Sequence, residues 1–376
     1  MCRASSRRMS TIRITSPDDI RTMQAGPGKP TRVMALIGNS SRGSTPSQIL
    51  KLDALRAMTN GPDAVADLSI TRTTPELIPE IVDRGFIASA LPIYGVRKRS
   101  GAIDPVELLD RCRTAVGLGA RMLTIHPTPT AHLIASAQQR LVPWTSRGGG
   151  IIIRDLVMSG STDNVYQKIL PSLIELALSH GVALSLGASF RSANIFDSYD
   201  LTQQAEIASQ IALADELHRE GVMVVIESPG HASPRSITEV SRRLAASRYP
   251  IMPLGPIPTD TAIGQDHISS AIGATLMGLA GAAHILAAVT REEHTGGVPT
   301  SASTIEAVEA ARVAAHIIDL GNGTANAVSA DYEIARARSE SKTCVVERSK
   351  PGCARCADAC PLIVDPREIA GPSARK

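Results

Sequence analysis

The sequence predicts an α/β protein, a (β/α)8 TIM barrel followed by a small C-terminal segment. Short runs rich in β-branched and apolar residues recur along the chain, and each is followed by a stretch with helical periodicity, which favours parallel β/α architecture. Nearly every run ends in a polar residue, as expected where an active site is built from loops at the carboxyl ends of barrel strands. The length of 376 residues accommodates a barrel with a small appendage.

Nine runs are candidate strands, so the sequence predicts eight or nine β/α units and a closed barrel. In chain order they cover residues 33–37, 64–68, 87–93, 122–125, 150–153 or the run just before it, 182–186, 223–226, 251–254 and 284–289. A doubly wound sheet is the alternative, but its first strand should end in a glycine-rich dinucleotide turn. The glycines that follow the first run, Gly38 and Gly43, have the wrong spacing for that turn.

Composition and charge exclude several classes of function. The formal net charge is +3, with 39 basic and 36 acidic side chains, and one Trp, five Tyr and three Phe offer few platforms for stacking bases, so no nucleic-acid partner is expected. The most apolar stretch, 271–289, is broken by glycines and His284, so we expect no membrane association. With six cysteines and no export signal, the sequence predicts a soluble, cytoplasmic protein.

The chain divides into three parts by the character of its residues. Residues 1–30 are expected to form a disordered leader, because their basic start lacks the apolar core of a secretory signal. Residues 31–322 contain the alternating runs and are expected to form the catalytic barrel. Gly321 and Gly323 end the last long helical stretch, and residues 323–376 carry a charged, helix-compatible segment and a cluster of cysteines.

The cysteine cluster is the most informative pattern in the chain. Cys353, Cys356 and Cys360 are three of only six cysteines and fall within eight residues. Three thiolates hold three corners of a 4Fe-4S cluster and leave the fourth iron open for reaction, whereas a structural zinc site normally has a fourth Cys or His close by. Cys344 lies nine residues upstream and could complete a four-cysteine zinc site, so that alternative stays open.

Two histidines at strand ends predict a second metal site. Glu227 and His231 flank a Ser-Pro-Gly sequence that excludes a regular helix and predicts a tight turn, so both side chains could reach one cavity. His294 follows another strand and is preceded by two glutamates. Two imidazoles with a carboxylate or a substrate group suit a divalent ion such as Zn²⁺ or Fe²⁺.

Residues 145–150 have the composition of a phosphate cradle. Ser146 supplies a hydroxyl, Arg147 a guanidinium and Gly148 an accessible backbone N–H, although a simple glycine-rich turn explains the residues equally well. Other polar side chains that follow strands, and that we expect at the same end of the barrel, are Asn39, Ser69, Tyr94, His126 and Arg191.

These residues and the strings around them are similar to the phosphomethylpyrimidine synthase (ThiC) family of noncanonical radical S-adenosylmethionine enzymes. The resemblance covers about residues 33–320 and the terminal cysteines. It rests on collinear strings that include Ile37-Gly-Asn-Ser40, Asp67-Leu-Ser69, Leu91-Pro-Ile-Tyr94, Leu123-Thr-Ile-His126, Thr145-Ser-Arg-Gly-Gly149, Ile226-Glu-Ser-Pro-Gly-His231 and Val289-Thr-Arg-Glu-Glu-His294.

The resemblance implies a homodimer in which an exchanged C-terminal segment brings a 4Fe-4S cluster to the partner's active site. It implies that the cluster, with flavodoxin or ferredoxin as reductant, reduces S-adenosylmethionine to a radical. In the family that radical rearranges 5-aminoimidazole ribotide, a small phosphorylated imidazole, to the hydroxymethylpyrimidine phosphate of thiamine, and the enzyme is a carbon–carbon lyase.

The resemblance also assigns residues by position. His231 and His294 match the ligands of a zinc-like metal, and Glu227 matches a carboxylate near the S-adenosylmethionine amine. The implied catalytic residues are Glu227, Tyr94 and His126. The implied substrate-binding residues are Asn39, Ser69, Tyr94, His126, Ser146, Arg147, Gly148, Arg191 and Glu227.

The chain departs from the family pattern at several positions. Ala66 stands where the family has Met, Ala188 where it has Asp, and Ser228 where it has Gly. The family spaces its cysteines C-x2-C-x4-C, whereas the spacing here is C-x2-C-x3-C. Loss of an acid and of a larger side chain predicts a roomier pocket and a divergent paralogue with an altered substrate or product, such as 5-hydroxybenzimidazole.

Two functions of other classes stay open. A zinc-dependent barrel hydrolase or aldolase would use His231 and His294, with the C-terminal cysteines as structural zinc ligands. A catalytically inactive binding protein would keep the barrel and lose the cluster. Retention of three cysteines and both histidines argues against the second alternative.

Overall fold

The structure, a computed structural model, describes residues 10–40, 44–70, 76–96, 102–346, 353 and 355–364. It confirms the predicted fold, because eight parallel strands and their connecting helices form a TIM barrel. The chain divides into two compact units, residues 1–318 with the barrel and residues 319–376 with the clustered C-terminal cysteines. No helix in the described ranges is long and apolar enough to cross a membrane.

Strands and helices alternate through the first unit. The strands are β1 (Ile12–Thr15), β2 (Thr22–Ala25), β3 (Arg32–Ile37), β4 (Ala64–Asp67), β5 (Ile87–Ala90), β6 (Met122–Ile125), β7 (Ala183–Leu186), β8 (Met223–His231), β9 (Ile251–Ile257) and β10 (Ile285–Ala287). The helices are α1 (Thr45–Ala57), α2 (Ile78–Asp83), α3 (Ile93–Val96), α4 (Pro105–Gly117), α5 (Ala131–Ala137), α6 (Arg147–Ser159), α7 (Val165–His180), α8 (Leu201–Arg219), α9 (Pro234–Ala245), α10 (Asp266–Leu279), α11 (Ser301–Gly321) and α12 (Ala325–Ser341). Short 3-10 turns follow at Ala357–Ala359 and Pro361–Ile363.

The barrel strands lie in one parallel sheet in the order β10, β3, β4, β5, β6, β7, β8, β9. The two outer strands meet where the His284 N–H donates to the Ile251 carbonyl oxygen over 2.9 Å. The Ile251 N–H donates in turn to His284 Nδ1 over 3.0 Å, so His284 supports this seam. The seam closes the barrel. Because all eight strands are parallel, their carboxyl ends lie at one face.

Eight of the nine predicted strands are present, and one prediction is wrong. Residues 150–153 lie inside α6, which begins where the Ser146 hydroxyl accepts the Gly149 N–H. The buried side chains Ile152, Ile153 and Leu156 follow helical spacing, which a run of isoleucines conceals in the sequence. The turn predicted at Ser-Pro-Gly is also wrong, since β8 continues through it to His231.

The expectation of a disordered leader is wrong for residues 10–30. β1 and β2 pair in antiparallel register, with Ile12 opposite Ala25. Ile12 and Ile14 are buried in an apolar cluster with the first residues of barrel strands, such as Ile87 and Ile285. The hairpin therefore covers the amino-terminal end of the barrel. Residues 1–9 lie outside the described part of the chain.

Candidate active site

A cavity of about 490 Å³ lies at the carboxyl ends of the barrel strands. The side chains singled out from the sequence that line this cavity are Asn39, Tyr94, His126, Ser146, Arg147, Arg191, Glu227, His231 and His294. Ser69 supports the lining from behind, because its hydroxyl accepts the Asn39 N–H over 3.0 Å. The fold thus brings residues from across the barrel sequence to one site.

Glu227 is a buried carboxyl group of the cavity wall, carried by β8. Its Oε1 accepts the Thr124 hydroxyl over 2.9 Å and the Ser185 hydroxyl over 2.8 Å, from β6 and β7. Burial raises the pKa of Glu227, while these hydroxyls and the Arg191 guanidinium oppose the shift. A carboxyl group with a raised pKa exchanges protons more readily near neutral pH.

The His126 imidazole is buried against glycine backbone. A Cβ atom on Gly148 or on Gly187 would overlap the ring, so only glycine fits at either position. Ser189 Oγ lies 3.1 Å from His126 Nδ1. Burial lowers the pKa of His126 to about 3, and Arg191 adds to the shift, so the ring is neutral at physiological pH. Gly148, which the sequence assigned to a phosphate cradle, therefore has a packing role: the lack of a side chain lets α6 lie against His126.

The first turn of α6 supplies the cavity with a hydroxyl and a guanidinium. Ser146 Oγ accepts the Gly149 N–H over 3.1 Å, as an N-cap residue does. The Arg147 guanidinium carbon lies 5.5 Å from the centre of the Tyr94 ring. Burial raises the pKa of Tyr94, so its phenol stays protonated. A helix start together with an arginine suits an anionic group such as phosphate.

Asn39 brings an unused acceptor to the cavity. Its Nδ2 donates to Thr45 Oγ1 over 3.2 Å, whereas Oδ1 is buried and has no hydrogen-bond partner among the described residues. Buried polar atoms are normally paired, so this oxygen is open to a partner outside the described residues.

Two of the positions that depart from the family pattern, Ala66 and Ala188, differ in their relation to the cavity. Ala66 lines the cavity wall, so a larger side chain there would fill part of it. Ala188 is buried, and its backbone amide opposes the rise in the pKa of Glu227. Of these two positions, only Ala66 can widen the cavity in the way the sequence predicts.

His231 and His294 meet at the cavity with their Nε2 atoms 3.0 Å apart. Each Nδ1 lies 2.6 Å from a carboxylate oxygen, that of Asp260 for His231 and that of Asp266 for His294. Because a carboxylate accepts and does not donate, both Nδ1 atoms carry a proton. When the rings are neutral, two Nε2 lone pairs face each other, and a cation bound by both would stabilise that arrangement.

The histidine pair offers two protein ligands to a metal. Burial lowers the pKa of His231, while its hydrogen bond to Asp260 opposes the shift, and the neutral ring is the form that binds metal. Among the residues the structure describes, no group of three or more His, Cys, Asp or Glu side chains converges in metal-binding geometry. Further ligands would come from a bound substrate or water.

Lys51 is a buried cavity residue that the sequence did not single out. Burial lowers the pKa of its ammonium group, and the Glu292 carboxylate opposes the shift. Oε2 of Glu292 is itself buried without a hydrogen-bond partner in the described chain. The sequence pattern of α1 could have identified this residue. Lys51 lies beside Leu52 on the buried face of the helix, where a charged side chain is rare.

Comparison with known proteins identifies the family. The model of the radical SAM ThiC family matches residues 9–349. The chain belongs to this family. The phosphomethylpyrimidine synthase of Thermodesulfovibrio yellowstonii is 32% identical, over 85% of this chain and 77% of its own length. That of Methanopyrus kandleri is 29% identical, over 89% of this chain and 81% of its own length.

One further relative is named for a different product. The 5-hydroxybenzimidazole synthase BzaA of Moorella thermoacetica is 29% identical to this chain, over 88% of it and 78% of its own length. Among solved structures, an archaeal fructose-1,6-bisphosphate aldolase aligns with a TM-score of 0.40 and 14% identity, over 76% of this chain and 94% of that chain. That likeness is too distant to bear on function.

The C-terminal cysteines of this ThiC-family chain lie beyond the matched residues, in the second unit. Cys353, Cys356 and Cys360 are free thiols beside the short 3-10 turns. Desolvation raises the pKa of Cys356, and the thiols of Cys353, Cys360 and Cys344 add to the shift. The Cys356 thiol therefore lies near the other three, and the donor chemistry of these cysteines suits either an iron–sulfur cluster or zinc.

Proposed function

We propose that this ThiC-family chain is a radical S-adenosylmethionine enzyme acting on 5-aminoimidazole ribotide or a close analogue. Its default product is 4-amino-5-hydroxymethyl-2-methylpyrimidine phosphate, and its reaction class is that of a carbon–carbon lyase. The observation that carries the proposal is one cavity lined by both an anion-binding helix start and a pair of metal-type histidines. Relatives named phosphomethylpyrimidine synthase support the same product.

Phosphate binding is assigned to the first turn of α6. Ser146, Arg147 and Gly148 place a hydroxyl, a guanidinium and backbone N–H groups at a helix start, where the helix dipole favours an anion. Arg191 and Asn39 line the same cavity and are proposed to bind the rest of the substrate, with Asn39 Oδ1 accepting from a ligand donor. Ser69 holds the Asn39 backbone in place.

Proton transfer is assigned to Glu227, Tyr94 and His126. The raised pKa of Glu227 suits it to take up and release a proton beside the amine of S-adenosylmethionine. The Tyr94 phenol stays protonated and donates, whereas the neutral His126 ring accepts. Burial excludes bulk water from all three groups, which protects a reactive intermediate from side reactions.

A divalent ion, Zn²⁺ or Fe²⁺, is proposed between His231 and His294. The residues fit this group, because the Nε2 atoms converge and a carboxylate holds each Nδ1. The ion would supply a fixed positive charge that orients a ligand. The protein's part is to hold both rings so that their Nε2 atoms face the ion.

A 4Fe-4S cluster is proposed on Cys353, Cys356 and Cys360. The donor set suits this group, because three cysteines within eight residues offer three thiolate ligands and leave the fourth iron open. When bound, the cluster supplies the electron that cleaves S-adenosylmethionine. A reductant such as flavodoxin or ferredoxin, a cytoplasmic location and a homodimer with exchanged C-terminal segments belong to the same proposal and rest on the family resemblance.

A second product, 5-hydroxybenzimidazole, is favoured by one specific observation. Ala66 lines the cavity wall at a position where the family resemblance implies Met, so the smaller side chain leaves room there. A relative that makes 5-hydroxybenzimidazole, BzaA, resembles this chain at 29% identity. A wider pocket would allow the same substrate to rearrange differently.

Anaerobic reconstitution with iron and sulfide tests the proposal. Supplied with a reductant, S-adenosylmethionine and 5-aminoimidazole ribotide, the wild-type protein should form 5′-deoxyadenosine. Mass spectrometry of the second product should distinguish the pyrimidine phosphate from 5-hydroxybenzimidazole. Cys356→Ala should abolish the reaction, because it removes one of three cluster ligands.

The control for this experiment is Cys344→Ala, which should keep the activity if three cysteines hold the cluster. Full formation of 5′-deoxyadenosine by the Cys356→Ala protein would contradict the cluster assignment. A colourless wild-type protein with zinc as its only metal would instead support the zinc-dependent hydrolase or aldolase.

A further inference from the structure

A chain of buried hydrogen bonds joins His126 to the carboxylate of Glu206. Glu206, on α8, accepts the Ser189 N–H over 2.7 Å, the Phe190 N–H over 2.8 Å and the Thr128 hydroxyl over 2.7 Å. Thr128 Oγ1 lies 3.4 Å from Ser189 Oγ, which lies 3.1 Å from His126 Nδ1. We call Glu206, Thr128, Ser189 and His126 the Glu206 chain.

The direction of donation along the Glu206 chain follows from its carboxylate end, where three donors meet the Glu206 oxygens. Burial raises the pKa of Glu206, while these three hydrogen bonds oppose the shift and favour the ionised form. Each hydroxyl has one proton to donate. Thr128 donates its proton to Glu206, so it must accept in its contact with Ser189. If Ser189 gives its proton to Thr128 over 3.4 Å, its oxygen accepts from His126 Nδ1 over 3.1 Å. The imidazole is thereby held with a proton on Nδ1.

The other ring nitrogen of His126 is left for a ligand. The residue lines the cavity; its Nε2 packs close to the Gly148 backbone and has no hydrogen-bond partner within the described part of the chain. Burial lowers the pKa of His126 to about 3, so the ring carries a single proton near neutral pH. When that proton is on Nδ1, Nε2 presents a lone pair.

We propose that the Glu206 chain fixes His126 as its Nδ1–H tautomer, so that Nε2 accepts a hydrogen bond from a hydroxyl or amine group of the substrate. Glu206, Thr128 and Ser189 are positioning residues, because they act through the imidazole. A ligand with an acceptor at this point would be rejected, since two acceptors would face each other in a buried site.

The tautomer of His126 and the donor group of the ligand depend on different observations. The tautomer depends on this chain alone. The donor group of the ligand rests on the proposed function, in which 5-aminoimidazole ribotide supplies both amine and hydroxyl groups. The experiments separate the two.

Nitrogen-15 NMR of the full chain, labelled at histidine, measures the tautomer. His126→Gln identifies the signals of His126 by their disappearance. At neutral pH the wild-type protein should show a protonated Nδ1 and an unprotonated Nε2. Thr128→Val keeps the side-chain shape but frees the Ser189 proton to be donated to His126, so the ring proton should move to Nε2.

The matched control is Thr128→Ser, which keeps the hydroxyl and should keep the wild-type tautomer. Ser189→Ala is a second variant in case Thr128→Val fails to fold, and it too should release the proton from Nδ1. A wild-type ring protonated on Nε2, or a tautomer unchanged in both Thr128→Val and Ser189→Ala, overturns the proposal.

Affinity for 5-aminoimidazole ribotide tests the ligand part. Thr128→Val should weaken binding about tenfold, since a matched donor and acceptor become two donors. Thr128→Ser and Ser209→Ala, which changes an exposed serine of α8, should bind as the wild type does. Equal affinity in Thr128→Val contradicts the ligand part. If the wild type binds no ribotide, the ligand part fails with the proposed function, while the NMR result still decides the tautomer.

Discussion

The two ends of the barrel interior are built from the same strands but differ in chemistry. At the amino-terminal end the clustered side chains are apolar, including Met34, Ile87 and Ile285. The β1–β2 hairpin covers them with Ile12 and Ile14. Such a layer stabilises the fold through buried apolar area and close packing.

At the carboxyl end the interior is polar although it is equally buried. Burial raises the pKa of Glu227 and lowers that of His126. Asn39 Oδ1 has no partner in the described residues. Each of these arrangements costs folding free energy that a ligand would recover. The difference indicates that one end of the barrel stabilises the fold while the other holds groups ready for a ligand.

The largest expected effect is on metal binding at the carboxyl end. His231→Ala and His294→Ala should each remove the divalent ion, because each deletes one of two protein ligands, while the cluster content and the fold are largely kept. Asp260→Asn should weaken metal binding about 10- to 100-fold by releasing the orientation of His231. Metal analysis and circular dichroism measure both results.

His180→Ala, at an exposed histidine of α7, is the control for these variants and should keep its metal. Unchanged zinc in both the His231 and His294 variants would show that the pair is structural, and the contrast between the two ends of the barrel would then be lost.

At the amino-terminal end a smaller effect is expected, on stability and not on metal binding. Ile14→Ala should lower the free energy of unfolding by about 2–5 kcal/mol, because it leaves a cavity in a closed apolar layer, yet metal binding should be unchanged. Urea unfolding measures the loss. Ile20→Ala is the matched control, since Ile20 is 79% exposed and should contribute little. Equal stability of the two variants would mean that the hairpin does not cover the core.

The smallest expected effect is on the pH dependence of stability. Burial lowers the pKa of His284 to about 4, so between that pH and the ordinary histidine pKa of about 6.5 the unfolded chain binds a proton that the folded chain does not. Stability should therefore fall with decreasing pH in this window, and His284 should contribute about 1.4 kcal/mol per pH unit.

His284→Asn removes this proton while its amide oxygen can still accept the Ile251 N–H. Urea unfolding at several pH values should show a smaller slope for the variant than for the wild type. A residual slope is expected from His126, whose pKa burial also lowers. Identical slopes in the two proteins would show that His284 is not kept neutral by burial.

Prediction from the sequence succeeded where the pattern is local. Eight barrel strands follow from apolar runs separated by helical stretches, because each strand is buried on both faces. The same reasoning failed at residues 150–153, where a run of isoleucines belongs to a helix. It also missed the β1–β2 hairpin, whose short strands acquire their buried faces only by covering the barrel.

Some residues of the candidate site were predicted from the sequence, and others were not. The sequence placed Glu227, His231 and His294 at strand ends, and a common carboxyl end follows from parallel strands alone. Lys51 was not predicted as a site residue, because its burial depends on how α1 packs against the barrel. The sequence of one helix does not reveal that packing.

The sequence by itself determined the barrel, the family and the residue types at the mouth of the cavity, because strand periodicity and strand-end position are properties of short segments. Only the tertiary structure decided the hydrogen-bond partners. Asp260 lies 29 residues from His231, and Glu206 lies 78 residues from Thr128. Such pairs form because strand order and barrel closure bring distant segments within hydrogen-bond distance, and no local pattern encodes that separation.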